Sequence, residues 1–291
     1  PYIGELLKEE GLLTYDKSDA NKGQKIVGTY FDETFIGSDK ADKIYTGEGN
    51  DTIIASKGND IIYMNEWGTK TLKFEEKSNL TYTRYGNDLK ITVNGSANDT
   101  VTIKDIFKPT FKADICIANG KDIEYKNPTL ESILKEEGLL TYDKSDANKG
   151  QKIVGTYFGD TFIGSDKADK IYTGAGNDTI KSGKGNDTIY INGGGEKTFE
   201  FDKGQGDNII SGFNKADEVI IKFKDGDNGA ITPKFTRYGN DLYINAEYDE
   251  SNEDLDTNIK ISGFFKLTEE EQNKLVGWES NTDLGIIGKG T

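Results

Sequence analysis

Aspartate recurs at every ninth residue in two stretches of the chain. In the first, Asp42, Asp51 and Asp60 sit in GSDKADKIY, TGEGNDTII and ASKGNDIIY, and Glu33 of GTYFDETFI holds the same phase. In the second, Asp160, Asp169, Asp178 and Asp187 sit in GTYFGDTFI, GSDKADKIY, TGAGNDTIK and SGKGNDTIY. INGGGEKTF carries that phase on to Glu196, and FDKGQGDNII supplies Asp207 after a small slip. Carboxylates at fixed spacing among glycines are hard oxygen ligands, suited to binding cations. Other chemistry has little to work with. The 291 residues include no His and one Cys, which removes Ser-His-Asp and Cys-His nucleophiles, His-ligated and all-Cys zinc sites, and a disulfide framework. Neither a G-x-S-x-G elbow nor a P-loop occurs. DKSDANKG, at 16–23 and 143–150, begins like an EF-hand loop but lacks Gly and Glu where that loop requires them.

Lys and Arg total 36 against 51 Asp and Glu, a net charge of −15. Nucleic acid, which is bound through clustered Lys and Arg, is excluded as a partner, and an anionic lipid surface is disfavoured. No apolar run approaches the roughly 18–20 residues that span a bilayer, so no transmembrane segment is expected. Fifteen Tyr and fourteen Phe are too many for a solvated acidic tail, so the chain is expected to fold.

A duplication organises these elements. Residues 1–63 return as 128–190 with 12 differences, so 63 − 12 = 51 positions are identical. RYGNDLKI (84–91) returns as RYGNDLYI (237–244), and TIKDIFK (102–108) as KISGFFK (260–266). Two domains are expected, 1–127 and 128–291. Each opens with a short helix; in the second, Pro128 precedes an apolar pattern of Leu130, Ile133 and Leu134 that closes at Gly138. The Pro at position 1 and the closing GIIGKGT, which is like the start of another copy, suggest a piece of a longer tandem array.

The nonapeptides resemble the RTX repeat G-G-x-G-x-D-x-U-x of hemolysin-type calcium-binding proteins, where U is a large apolar residue; TGAGNDTIK and SGKGNDTIY come nearest. The resemblance implies an all-β fold: two parallel β-roll segments, at about 28–63 and 155–210, each followed by an antiparallel β region, at about 69–125 and 213–266. A C-terminal helix or linker is expected over 267–291. Six residues of each unit form a turn and three a strand, with Ile44, Ile53, Ile62, Ile171, Ile180 and Ile189 pointing inward. Two units close a coil, so turns 18 residues apart stack at about 4.8 Å. Carboxylates that close repel unless one is protonated or a cation lies between them, and oxygen ligands in flexible geometry suit Ca²⁺ better than Mg²⁺.

The resemblance also implies the ligands. One turn lends positions 1, 3 and 6, and the turn one coil later lends 2, 4 and 6; only position 6 uses its side chain. Gly37, Asp39 and Asp42 thus face Ser56, Gly58 and Asp60, while the Glu33 turn faces Gly47, Gly49 and Asp51. In the second copy Gly155, Tyr157 and Asp160 face Gly174, Gly176 and Asp178, and Gly164, Asp166 and Asp169 face Gly183, Gly185 and Asp187. Further sites join the Asp178 turn to Glu196 and the Asp187 turn to Asp207. About four to six Ca²⁺ ions are expected by similarity to the family. Glu33 in place of Asp, and Ala55-Ser56 in place of paired glycines, make the first array the weaker one.

The function implied is a calcium-binding module of a secreted bacterial toxin or exoprotein that folds outside the cell and supports type I secretion. Its partners would be the type I machinery and a host or bacterial cell surface. The alternative is a structural or adhesive repeat of a surface layer or giant adhesin, toward which the near-identical copies lean. Enzyme activity is not expected, since the turns account for the visible acids. Cys116 reads as a buried structural thiol, Trp67 and Trp278 as packing residues, Arg84 and Arg237 as hairpin ion pairs, and the acidic run 247–256 as a solvated loop.

Overall fold

A computed structural model describes residues 2–64, 67–111, 113–120, 128–224, 233–246 and 256–273, with the backbone of 275–280. The acidic run over 247–255, the Trp278 side chain and the C-terminal 281–291 lie outside the described residues. The chain divides into two units, Pro1–Leu139 and Leu140–Thr291.

Each unit is a parallel β-roll of two facing sheets. In the first, Thr14–Asp16, Thr34–Ile36, Asp51–Ile54 and Thr69–Phe74 stack in one sheet, and Lys25–Val27, Lys43–Tyr45 and Asn59–Tyr63 in the other. The period sets the register, because residues 18 apart pair across neighbouring strands: Phe35 with Ile53, and Ile26 with Ile44 with Ile62. The second unit repeats this with Phe162 beside Ile180 and Ile153 beside Ile171 beside Ile189. Strands of three to five residues give each coil one inward apolar side chain per sheet. All six expected inward isoleucines are at most 2% exposed.

The roll begins earlier than the repeat motif. The DKSDANKGQ segment is itself its first turn, between Thr14–Asp16 and Lys25–Val27, and the backbone N–H of Gln24 donates to Asp42 Oδ1. The flanking regions extend the two sheets unequally. One sheet of the first unit continues parallel, with Asp114–Asn119 beside Thr69–Phe74. The other adds Thr100–Ile103 in parallel, then the antiparallel strands Asp88–Val93 and Leu80–Tyr85. The second unit adds Thr257–Ile261, Asp241–Ala246 and Lys234–Tyr238 likewise. At the C-terminal end a single helical turn (Glu269–Gln272) leads into a strand, Leu275–Ser280, parallel to Glu218–Phe223, where a helix or linker was expected.

The helix of the second copy, α2 (Leu130–Glu136), packs on the first unit. It buries Leu130 and Leu134, and Thr129 forms a bridge with Cys116. The folded boundary therefore lies at 139/140, beyond the 127/128 boundary of the repeat. Its counterpart α1 (Ile3–Glu9) buries no side chain. Cys116 is half-buried and Trp67 is exposed. Arg84 and Arg237 stack over Phe107 and Phe265, 4.2 and 4.3 Å from the ring centres, and donate to the carbonyls of Gly86 and Gly239.

Candidate metal centres

The six-residue turns bring the acidic side chains into rows along the edges of each roll. Glu33, Asp42, Asp51, Asp60, Asp160, Asp169, Asp178 and Asp187 are each at most 3% exposed. Consecutive acids in a row are hydrogen-bonded in one pattern. The backbone N–H of the earlier residue donates to Oδ1 of the later: Asp42 to Asp60 (2.9 Å), Glu33 to Asp51 (3.0 Å), Asp160 to Asp178 (2.8 Å) and Asp169 to Asp187 (2.8 Å). The other oxygen of Asp42, Asp160 and Asp169 accepts from the position-2 N–H of its own turn, each at 2.6 Å. These bonds hold each carboxylate at the turn edge, with its Oδ1 directed to the preceding turn.

Glycine permits the stacking. Gly176 has φ +87°, and a Cβ there would lie 2.4 Å from the Phe158 carbonyl carbon; Gly49, at φ +96°, would put one 2.4 Å from Phe31 O. The same close approaches show which carbonyls face each other. Carbonyls at position 2 (Thr29, Thr156, Ser165) lie against the turn 18 residues later, and those at position 1 of that later turn (Thr46, Thr173, Ser182) point back. The carbonyls of positions 2 and 4 of an earlier turn thus lie against the later turn, and the position-1 carbonyl of the later turn lies against the earlier one. The Lys40 carbonyl lies beside Gly58; Thr156 and Phe158 lie beside Gly174 and Gly176, and the Thr173 carbonyl lies beside Gly155. The acids 18 residues apart are neighbours in the stack, joined by the N–H to Oδ1 bonds above. Of the expected carbonyl donors, those of Gly47, Gly49, Gly58, Gly174, Gly176 and Gly185 lie against the turn or strand that follows in the stack.

Two expected ligands stand elsewhere. Glu196 is not at position 6; Lys197 is, paired in register with Asp178, and Glu196 accepts from Thr198 at its Oε1 instead. Asp207 is exposed and takes the place of Asn186, to whose Oδ1 its N–H donates; Asn208 completes the row, accepting from the Asp187 N–H at 3.1 Å. The sequence reading missed Lys70, Lys197 and Asn208, because one or three residues are inserted before each.

Burial dominates the electrostatics of these rows. It pushes the carboxyls of Asp60 and Asp187 up to about 7, with the neighbouring Asp42 and Asp169 charges adding to the rise. Asp51 and Asp178 are also raised by burial, against the pull of Lys70 and Lys197. Asp187 Oδ2 is buried with no hydrogen-bond partner. Among the described residues no three or more Asp, Glu, His or Cys side chains gather in a group that could hold a metal ion.

Residues 27–62 and 154–189 match the family described as the RTX calcium-binding nonapeptide repeat, in four copies. No curated protein matches the chain. Among solved structures, the extracellular lipase LipA from Serratia marcescens aligns at a TM-score of 0.30 and 15% identity, over 87% of this chain and 39% of that one. The chain thus spans well under half the length of the lipase. RTX repeats bind calcium, and no helix among the described residues is long and apolar enough to cross a membrane.

Proposed function

We propose that the chain is a calcium-folded module of a secreted bacterial protein, with Ca²⁺ held between stacked turns at Glu33/Asp51, Asp42/Asp60, Asp160/Asp178 and Asp169/Asp187. The observation that carries this is the set of eight carboxylates at most 3% exposed, with two buried lysines among the described residues to balance them. Backbone N–H bonds offset only part of the cost of taking these charges out of water, so protonation or a bound cation would relieve the rows. The partnerless Asp187 oxygen and the carbonyls converging from positions 2 and 4 are donors of the hard, flexible kind that Ca²⁺ accepts. Bound calcium supplies positive charge between the turns. The chain supplies the rest: backbone N–H groups orient each carboxylate, the glycines let the turns approach, and the apolar columns fix the spacing.

At the low calcium level of a cytosol the rows stay open, and at extracellular calcium they close. This suits passage through a type I secretion channel unfolded, followed by folding outside. The role is non-enzymatic, and the whole protein acts at a cell surface as toxin or exoprotein. A repeat unit of a surface layer or adhesin is the second reading, favoured by the 51 identities in 63 aligned positions. Circular dichroism of the purified chain, titrated with CaCl₂ from excess chelator, tests the folding role: a cooperative gain of β signal is expected, and an identical compact β spectrum in chelator would refute it.

A further inference from the structure

Lys70 and Lys197 are fully buried, each the sixth residue of the turn that follows the last aspartate of its row. Lys70 Nζ donates to Gly47 O (2.8 Å), Gly49 O (2.7 Å) and Asp51 Oδ2 (2.7 Å). Those acceptors are positions 2, 4 and 6 of one turn, and at the candidate calcium levels too the carbonyls of positions 2 and 4 lie against the later turn. Lys197 Nζ donates to Gly176 O (2.6 Å), Asp178 Oδ2 (2.6 Å) and, across the gap, Gly194 O at position 3 of its own turn (2.8 Å). The surrounding segments differ, with WGTK in one copy and GGEK in the other, yet both place an ammonium at the same spot. A bridging cation would need these same oxygens.

We infer that Lys70 and Lys197 are tethered cations that take the final cation level of their rows and close it to metal. This inference rests on the calcium reading above. Each ammonium brings positive charge, three donors and a reach set by its own backbone, so the end of the row is neutralised at any calcium concentration. The opposite rows end differently: Val101 stands in register with Asp60, and Asn208 follows Asp187. The lysine therefore belongs to one edge of each roll, where an aspartate in its place would extend the ladder by a level.

The test is the number of calcium ions bound by the full chain, read by native mass spectrometry at saturating CaCl₂, for wild type, K70D, K197D and the double variant. One additional ion is expected in each single variant and two in the double. Folded variants with the wild-type number would overturn the inference while leaving the calcium reading intact; a wild-type chain that binds none would overturn both. If a variant does not fold, amine acetylation of the wild type decides. At saturating calcium Lys70 and Lys197 should react at least about tenfold more slowly than the exposed Lys184, as expected for buried, hydrogen-bonded amines. Labelling of both at the Lys184 rate would mean that calcium expels them, and the inference would fail.

Discussion

Calcium-free protein should be stabilised by mild acid, and the size of the effect follows from the buried rows. Asp60 in the first unit and Asp187 in the second titrate near 7 when folded, against 3.8 for the free group. A carboxyl whose folded value is raised binds its proton more tightly in the native state. Stability is therefore greatest below the unfolded value and is lost as pH rises from about 4 to about 7. Integrating that linkage between pH 5 and 7.5 gives about 2.5 kcal/mol per group, an upper figure if water reaches the turn. For units of this size it corresponds to a rise in melting temperature of about 5–10 °C on acidification. The assay is differential scanning calorimetry of calcium-stripped protein at pH 5.0 and 7.5. General relief of the −15 charge would act in the same direction, so the decisive comparison uses D60N and D187N. Asn keeps the Oδ1 acceptor, as Asn208 does for Asp187, but cannot titrate. D60N should diminish the pH response of the first unit only, and D187N should remove part of the response of the second unit only, where Asp178, raised by burial to about 8, titrates as well. Retention of the full response in both, or a wild-type melting point that falls on acidification, would refute the reasoning. With calcium saturating, the dependence should invert, because the metal requires the ionised form.

Other expectations follow from the same contacts. In calcium-free protein, K197M should destabilise the second unit by about 3–5 kcal/mol, since it strands a buried carboxylate, and K70M should do the same in the first; urea unfolding followed unit by unit reads this. Gly176→Ala must place a Cβ against the Phe158 backbone at φ +87°; it should cost at least about 1–3 kcal/mol and weaken calcium binding measured by isothermal titration. Phe162→Ala empties a fully buried position between Tyr142 and Ile180 and should cost about 3–5 kcal/mol by chemical denaturation, with the first unit unchanged.

The inward columns and the aspartate rows were legible because the nine-residue period is strict over 28–63 and 155–190, where residue type and register coincide. Where the period slips, the acidic letters misled. Asp178 is followed by Lys197 after 19 residues and Asp187 by Asn208 after 21, so counting in nines landed on Glu196, and allowing a slip of phase led to Asp207. A better guide was present: in every turn the inward apolar residue lies two positions after the sixth, and counting back from Leu72, Phe199 and Ile210 gives Lys70, Lys197 and Asn208. The direction in which each carbonyl points is a property of the folded turn, so the pairing of half-sites could not be read from letters. The early start of the roll in DKSDANKGQ was hidden because that turn carries Gln24 where an acid was sought.

The offset between copying and folding has a practical consequence. Gene duplication repeated a segment that begins with a helix, yet in the folded chain α2 seals the hydrophobic end of the unit before it, through Leu130, Leu134 and the Thr129–Cys116 bridge. Trimming at the seam of the duplication would strip the first roll of its lid, whereas a cut after Leu139 would leave it covered. The piece that evolution copies and the piece that folds are thus out of step by one helix, and each added copy would bring the stopper for its predecessor.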